Sequence, residues 1–132
     1  MRKKFYYSAY LTIMILLAFS CNRTIETQLG HNKEIKVIGH CFIADFGDAK
    51  YELFFKSQEI LIWKDLNNGS NVSNEEEIKM VKIRPNLYLV SWKEKDGTSV
   101  SHLEDFENNI VYSNITLPDN TFLNLKGTLK KK

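Results

Sequence analysis

From residue 35 onward the chain is a train of short apolar segments cut by turn residues, and that rhythm restricts it to an all-β fold. The segments are residues 35–43, 50–56, 59–65, 77–83, 86–94, 98–106, 110–116 and 121–129, rich in Ile, Val, Phe, Tyr and Trp. β-branched and aromatic side chains fit a pleated, half-buried surface. Between the segments stand Asp45-Phe46-Gly47-Asp48, Ser57-Gln58, Asn67-Asn68-Gly69-Ser70, Arg84-Pro85-Asn86, Lys95-Asp96-Gly97, Asn108-Asn109 and Pro118-Asp119-Asn120. Gly and Asn accept the positive φ that tight turns need, and Pro presets one turn dihedral. No segment keeps a 3.6-residue period for more than two turns, and Asn74 to Glu77, which could open a helical turn, leads into a strand. About eight antiparallel strands at this spacing predict a barrel or a sandwich. A closed barrel leaves no exposed edge, and eight strands can enclose a small ligand.

Period-2 alternation assigns faces to the strands. Tyr88, Val90, Trp92 and Glu94 share one face. With Asp96-Gly97 as the hairpin turn, the register sets Ser99, Ser101 and Leu103 on that same face. Leu87, Leu89, Ser91, Lys93, Val100 and His102 take the opposite one. The set with the aromatics and a single carboxylate is expected inside. Tyr51, Leu53, Phe55, Leu123, Leu125 and Leu129 are expected inside as well.

The first twenty residues have a different grammar. Arg2, Lys3 and Lys4 precede an apolar run, Phe5 to Phe19, broken only by Ser8 and Thr12. The run falls short of the roughly 20 residues of a comfortable membrane span but suits the apolar region of an export signal. It ends in Leu17-Ala18-Phe19-Ser20-Cys21. A small residue and a cysteine directly after such a run predict lipoprotein processing, with Cys21 acylated as the first mature residue. Ala18 and Phe19 make this a relaxed form of the lipoprotein signal; an ordinary secretory signal or a short anchor is the alternative. Two or more acyl chains attach a protein durably, at about 0.8 kcal/mol per buried methylene. Asn22 carries no aspartate-type retention signal, which favours the outer membrane of a bacterial envelope. Residues 22–34 are polar and aperiodic and are expected to tether the lipidated Cys21 to a domain spanning 35–132.

Removing the leader changes the charge. Of 18 basic and 16 acidic residues, the leader holds three basic and no acidic ones, which leaves 15 against 16. A near-neutral domain has no electrostatic footprint for nucleic acid. Lys130, Lys131 and Lys132 read as a solvated end. With Cys21 lipidated, Cys41 is a lone thiol, expected as a small buried residue; without lipid, a Cys21–Cys41 bridge becomes possible.

Several stretches together resemble the MoaF-like proteins, small calycin-type (lipocalin-like) β-barrels. They are Tyr51-Glu52-Leu53-Phe54-Phe55, the core Val90-Ser91-Trp92-Lys93-Glu94-Lys95-Asp96-Gly97-Thr98-Ser99-Val100-Ser101, then Val111-Tyr112-Ser113-Asn114-Ile115 and Asp119-Asn120-Thr121-Phe122-Leu123. The resemblance covers about residues 38–129 and implies an eight-stranded antiparallel calycin barrel. The same core also resembles the phenolic acid decarboxylases, which share that barrel. Glu94 matches their cavity carboxylate, but Phe42 and Ala44 stand where two tyrosines belong, and residues 67–74 contain no arginine. A buried substrate carboxylate needs paired donors, so that decarboxylation is not expected.

Glu94 is the residue singled out for chemistry. A carboxylate inside an apolar barrel has a raised pKa and can serve as acid or base; at a strand end beside a hairpin it would instead be solvated. Glu77 lies in the run Glu75-Glu76-Glu77, which reads as solvated surface. His31 lies in the tether, and His40 and His102 are single residues on different strands, with no metal-ligand spacing. Ser99 and Ser101 lie near Glu94 without a histidine placed to activate them. There is no Gly-rich phosphate loop, and nothing implies a cofactor. Phe42, Trp63, Tyr88 and Trp92 either line a pocket for a flat apolar ligand or fill the core. The leading expectation is an envelope lipoprotein that binds a small, partly apolar molecule, with Glu94 as polar handle, Trp92 and Tyr88 in the wall, and Phe42, Trp63, Ser99 and Ser101 nearby. The rivals are a lyase- or isomerase-like enzyme using Glu94, and a filled barrel that works through its outer face or the loop 66–76. Oligomeric state is not legible.

Overall fold

The structure is a computed structural model that describes residues 33–67, 69 and 72–132. The expected signal peptide, Cys21, His31 and most of the expected tether lie outside the described residues. Eight strands follow in chain order: β1 (Cys41–Asp45), β2 (Lys50–Phe55), β3 (Ile60–Asp65), β4 (Ser73–Arg84), β5 (Leu87–Lys93), β6 (Ser99–Asp105), β7 (Ile110–Thr116) and β8 (Phe122–Lys131). Each pairs antiparallel with the next, and β1 closes on β8. The result is the closed eight-stranded antiparallel barrel that the strand train implies.

Two strands depart most from their expected bounds, and β8 runs two residues past the expected 129. The first is shorter than 35–43, because the chain turns at Gly39, whose φ is +79°. Gly39 N donates to Phe55 O at 2.7 Å, and Val37 is folded into the core. Glu34, expected in the tether, pairs with Lys82 and accepts from the Tyr88 hydroxyl. Ile35 N donates to Asn86 Oδ1 at 2.6 Å. Residues 34–40 thus lie as a flap over one end of the barrel. The fourth strand is longer than 77–83, because the acidic run pairs with β3: Glu75 lies opposite Ile62, Glu76 opposite Leu61 and Glu77 opposite Ile60. Alternation then divides the run, leaving Glu75 and Glu77 exposed while Glu76 points inward and is buried.

The β5–β6 hairpin overturns one expected face. Glu94 N donates to Thr98 O at 2.8 Å and Gly97 N to Glu94 O at 3.0 Å, so the loop has three residues, Lys95 to Gly97. Gly97 sits at φ +98°, the left-handed position that ends a three-residue hairpin loop. The register is therefore Trp92 opposite Val100, Val90 opposite His102 and Tyr88 opposite Glu104. A two-residue turn at Asp96-Gly97 would shift the pairing by one, and a slip of one moves every side chain to the other face. Hence Ser99, Ser101 and Leu103 face out, while Val100, His102 and Glu104 are buried. Cys41 is also corrected: it is half-buried as a free thiol, not a core residue.

The interior has two unlike ends. At the end covered by residues 34–40, Phe42, Phe55 and Phe106 pack edge to face with centroids 4.7–6.0 Å apart, and Tyr88 adds a fourth ring at 5.9 Å from Phe106. Leu61, Val111 and Leu129 fill the space between them. This is a dry plug. At the other end, where the β1–β2, β3–β4, β5–β6 and β7–β8 turns gather, the barrel is open.

Candidate functional site

The open end holds a cavity of about 400 Å³. Its position follows from strand direction, because β3 and β5 end there with Trp63, Trp92 and then Glu94, while β2 and β6 begin there with Tyr51 and Val100. Phe46, just past β1, reaches across the wall because Gly127 on β8 has no side chain. A Cβ there would collide with the Asp45 carbonyl oxygen and come within 2.7 Å of Phe46 Cδ1.

Five rings make an unbroken chain around the cavity. Trp63 meets Tyr51 at 5.9 Å, Tyr51 meets Phe46 at 6.4 Å, Phe46 meets His102 at 6.2 Å, and His102 meets Trp92 at 4.8 Å, all edge to face. Trp92 Nε1 donates to Glu94 Oε1 at 3.3 Å. Burial holds the Glu94 carboxyl above the usual carboxylate range, against the lowering effect of the Trp92 hydrogen bond and with help from the charges of Asp96 and Glu76. Burial also raises the Tyr51 phenol, aided by Asp65 and Glu94.

A second polar group lies deeper. His102 Nδ1 is 3.1 Å from Glu104 Oε1, with both side chains almost wholly buried. Nδ1–H donating to the carboxylate leaves Nε2 as the ring nitrogen with no partner among the described residues. Ser113 faces His102 across the β6–β7 ladder. The three do not form a hydrogen-bonded relay, since Ser113 Oγ has no partner. Trp63 Nε1 and Glu104 Oε2 are likewise buried and unpartnered. Such groups cost free energy unless something satisfies them, and both Trp63 and Ser113 line the cavity. Among the described residues, Asp96 and Glu94 are the carboxylates of the wall, and no Lys or Arg lines it.

The structure sorts the expected site residues into three places. Trp63, Trp92 and Glu94 meet at the cavity. Phe42 and Tyr88 lie in the plug at the other end. Ser99 and Ser101 line a shallow depression on the outer wall with Asn114, Thr116 and Phe122, because of the register shift. Sequence reasoning missed His102, Glu104 and Ser113. A signal was present: Val100 and Phe106 flank His102 and Glu104 at period 2, and their polarity marks the buried face better than Ser99 and Ser101 do. Among the described residues no group of three or more His, Cys, Asp or Glu side chains is arranged to hold a metal ion.

The MoaF-like family profile matches residues 38–130, well over half of the chain. The chain belongs to the MoaF-like family. The family match spans all eight strands apart from the last residue of β8, and so includes both the plug and the open end of this MoaF-like barrel. No curated protein sequence matches the chain. Among solved structures, a crystal structure from Burkholderia vietnamiensis described as a "putative beta-lactamase" superposes with a TM-score of 0.68 at 17% identity. The match covers 76% of this chain and 99% of that one. At that identity the likeness shows the shared fold alone.

Proposed function

We propose that this MoaF-like protein is a cell-envelope lipoprotein that binds a small, partly apolar molecule in the open end of its barrel. The observation that carries this reading is the cavity, with aromatic walls and two unpartnered polar groups, Trp63 Nε1 and Ser113 Oγ, on its lining. Ligand pockets have this character, mostly apolar with a few placed polar atoms. A volume of about 400 Å³ suits a metabolite-sized molecule. The cavity also weighs against a filled barrel acting only through its surface.

The envelope location rests on the leader, with Cys21 acylated and the outer membrane as its destination. Native mass spectrometry of the protein purified from its own cells tests both halves. The expected result is a diacylated Cys21 together with a reproducible bound mass that organic extraction removes. A chain that is unlipidated, or always empty, would remove the corresponding half.

A second reading has one specific observation in its favour. Glu94, with its raised carboxyl, and the His102–Glu104 pair lie on either side of Trp92. Two titratable groups in unlike settings on one cavity suit acid–base chemistry of the lyase or isomerase kind. Chemical conversion of the extracted molecule by the pure protein, abolished in both Glu94→Gln and His102→Gln, distinguishes this enzyme from a carrier.

A further inference from the structure

On the reading that the open end is a binding site, we infer that its ligand is an organic cation: a protonated amine carried on an apolar body. Four features of the cavity point to it.

The first is the ring chain of Trp63, Tyr51, Phe46, His102 and Trp92. Three ring types that attract cations through their faces, Trp, Tyr and Phe, stand around one volume. Such an enclosure is the recurrent means of holding an ammonium group away from water. The second is the sign of the charge. Glu94 and Asp96 lie on the lining, Glu76 is buried close enough to act on Glu94, and among the described residues no Lys or Arg lines the wall. An anion brought here would meet the like charges of Glu94 and Asp96 and, among the described residues, no Lys or Arg side chain to pair with it. The third is Ser113, 1% exposed, whose Oγ on the cavity wall has no partner among the described residues. A hydroxyl oxygen accepts from an ammonium N–H, which supplies the missing hydrogen bond. The fourth is the condition of Glu94 itself. Burial disfavours its ionised form, and a cation alongside opposes that by pairing with the carboxylate. A positive ligand beside Glu94 therefore gains a charge-assisted contact that a neutral one of the same shape does not.

The chain's two tryptophans, Trp63 and Trp92, both line the cavity, so tryptophan fluorescence reports on this site. The test is a titration of the full chain with three probes of similar shape and different charge: 2-phenylethylamine, 2-phenylethanol and 3-phenylpropanoate. The expected order is amine tightest, by about tenfold or more over the alcohol, with the carboxylate not bound, since a charge-assisted contact is worth at least that factor when desolvated. Glu94→Gln should abolish the preference for the amine over the alcohol. An alcohol that binds as tightly as the amine, or a carboxylate that binds more tightly, overturns the cation inference and leaves the cavity standing as a binding site. If none of the three changes the fluorescence, the cation inference falls, while the binding reading stands or falls on the bound mass seen in native mass spectrometry.

Discussion

The two ends of this barrel are made of the same strands and have opposite characters. At the plugged end, four aromatic rings pack against one another and a flap of residues 34–40 closes over them. At the open end, five rings stand in a chain around empty volume, with a raised carboxyl at the rim and polar atoms that lack partners. Both are rich in aromatics, so composition does not distinguish a core from a site. The difference is in satisfaction. The plug has apolar groups facing apolar groups, while the cavity wall contains groups that its own neighbours leave unpaired. Unmet polar capacity and unfilled space on one surface mark where the fold has given up stability.

The comparison is most exposed to a deletion in the plug. Phe55 is fully buried between Phe42 and Phe106. Phe55→Ala should destabilise by about 3–5 kcal/mol in chemical denaturation, as large core truncations do. Phe46→Ala at the open rim should cost far less, because the space it leaves joins a cavity already present. Equal losses would mean that the open end is core as well.

The buried His102–Glu104 pair should be next in size. His102→Leu leaves the Glu104 carboxyl, 0% exposed at its side chain, without its hydrogen-bond partner, and should cost about 1–3 kcal/mol. The double variant His102→Leu, Glu104→Leu should recover much of that, since replacing both partners by apolar groups is often neutral. A double variant as unstable as the single one would show that the pair is not the source of the loss.

Gly127→Ala tests how the wall is shaped. The added methyl meets the Asp45 backbone and the Phe46 ring, and overpacking of this kind costs about 1–3 kcal/mol. The same change should displace Phe46 and shift the tryptophan emission of the cavity. A variant with unchanged emission and unchanged stability would remove Phe46 from the wall.

The smallest effect belongs to Glu94. Its carboxyl is raised in the folded state by burial, so the folded protein holds that proton more tightly than the unfolded chain does. The stability it contributes is present below the ordinary carboxylate pKa and is lost as pH rises through the folded value. Glu94→Gln, uncharged throughout, should therefore melt slightly above the parent at neutral pH. The two should converge at about pH 4, where the unfolded-state carboxyl also becomes protonated. A parent that is the more stable protein at neutral pH would mean that Glu94 is stabilised by a partner rather than strained by burial.

Much of the fold was legible. The segments 50–56, 59–65 and 110–116 match β2, β3 and β7 to within a residue at each end, because alternating β-branched and aromatic residues between Asn, Gly and Asp turns leave few other conformations. Part of the site was legible too: Trp63, Trp92 and Glu94 could be named from their strands. The rest depended on a single count. Whether the turn after Glu94 holds two residues or three decides the parity of β6, and the sequence Lys95-Asp96-Gly97 is compatible with both. That one residue exchanged Ser99 and Ser101 for His102 and Glu104 on the inner face. Phe42 and Tyr88 were misplaced for another reason. Alternation states which face a side chain takes but not how far along the barrel axis it sits.

What the sequence determined by itself is therefore local and periodic: eight strands, their turns and the inward aromatic set. Each follows from backbone preference and from the period of 2 that any pleated strand obeys. The tertiary structure alone decided what depends on several strands at once. Closure of β1 on β8 sorted the aromatics into a plug and a wall. The three-residue hairpin turned His102 toward the interior, and the absent side chain of Gly127 let Phe46 reach the opening. The physical reason is that a cavity is not a property of any segment. It is the space left when eight separately specified surfaces are brought together and one end of them does not meet.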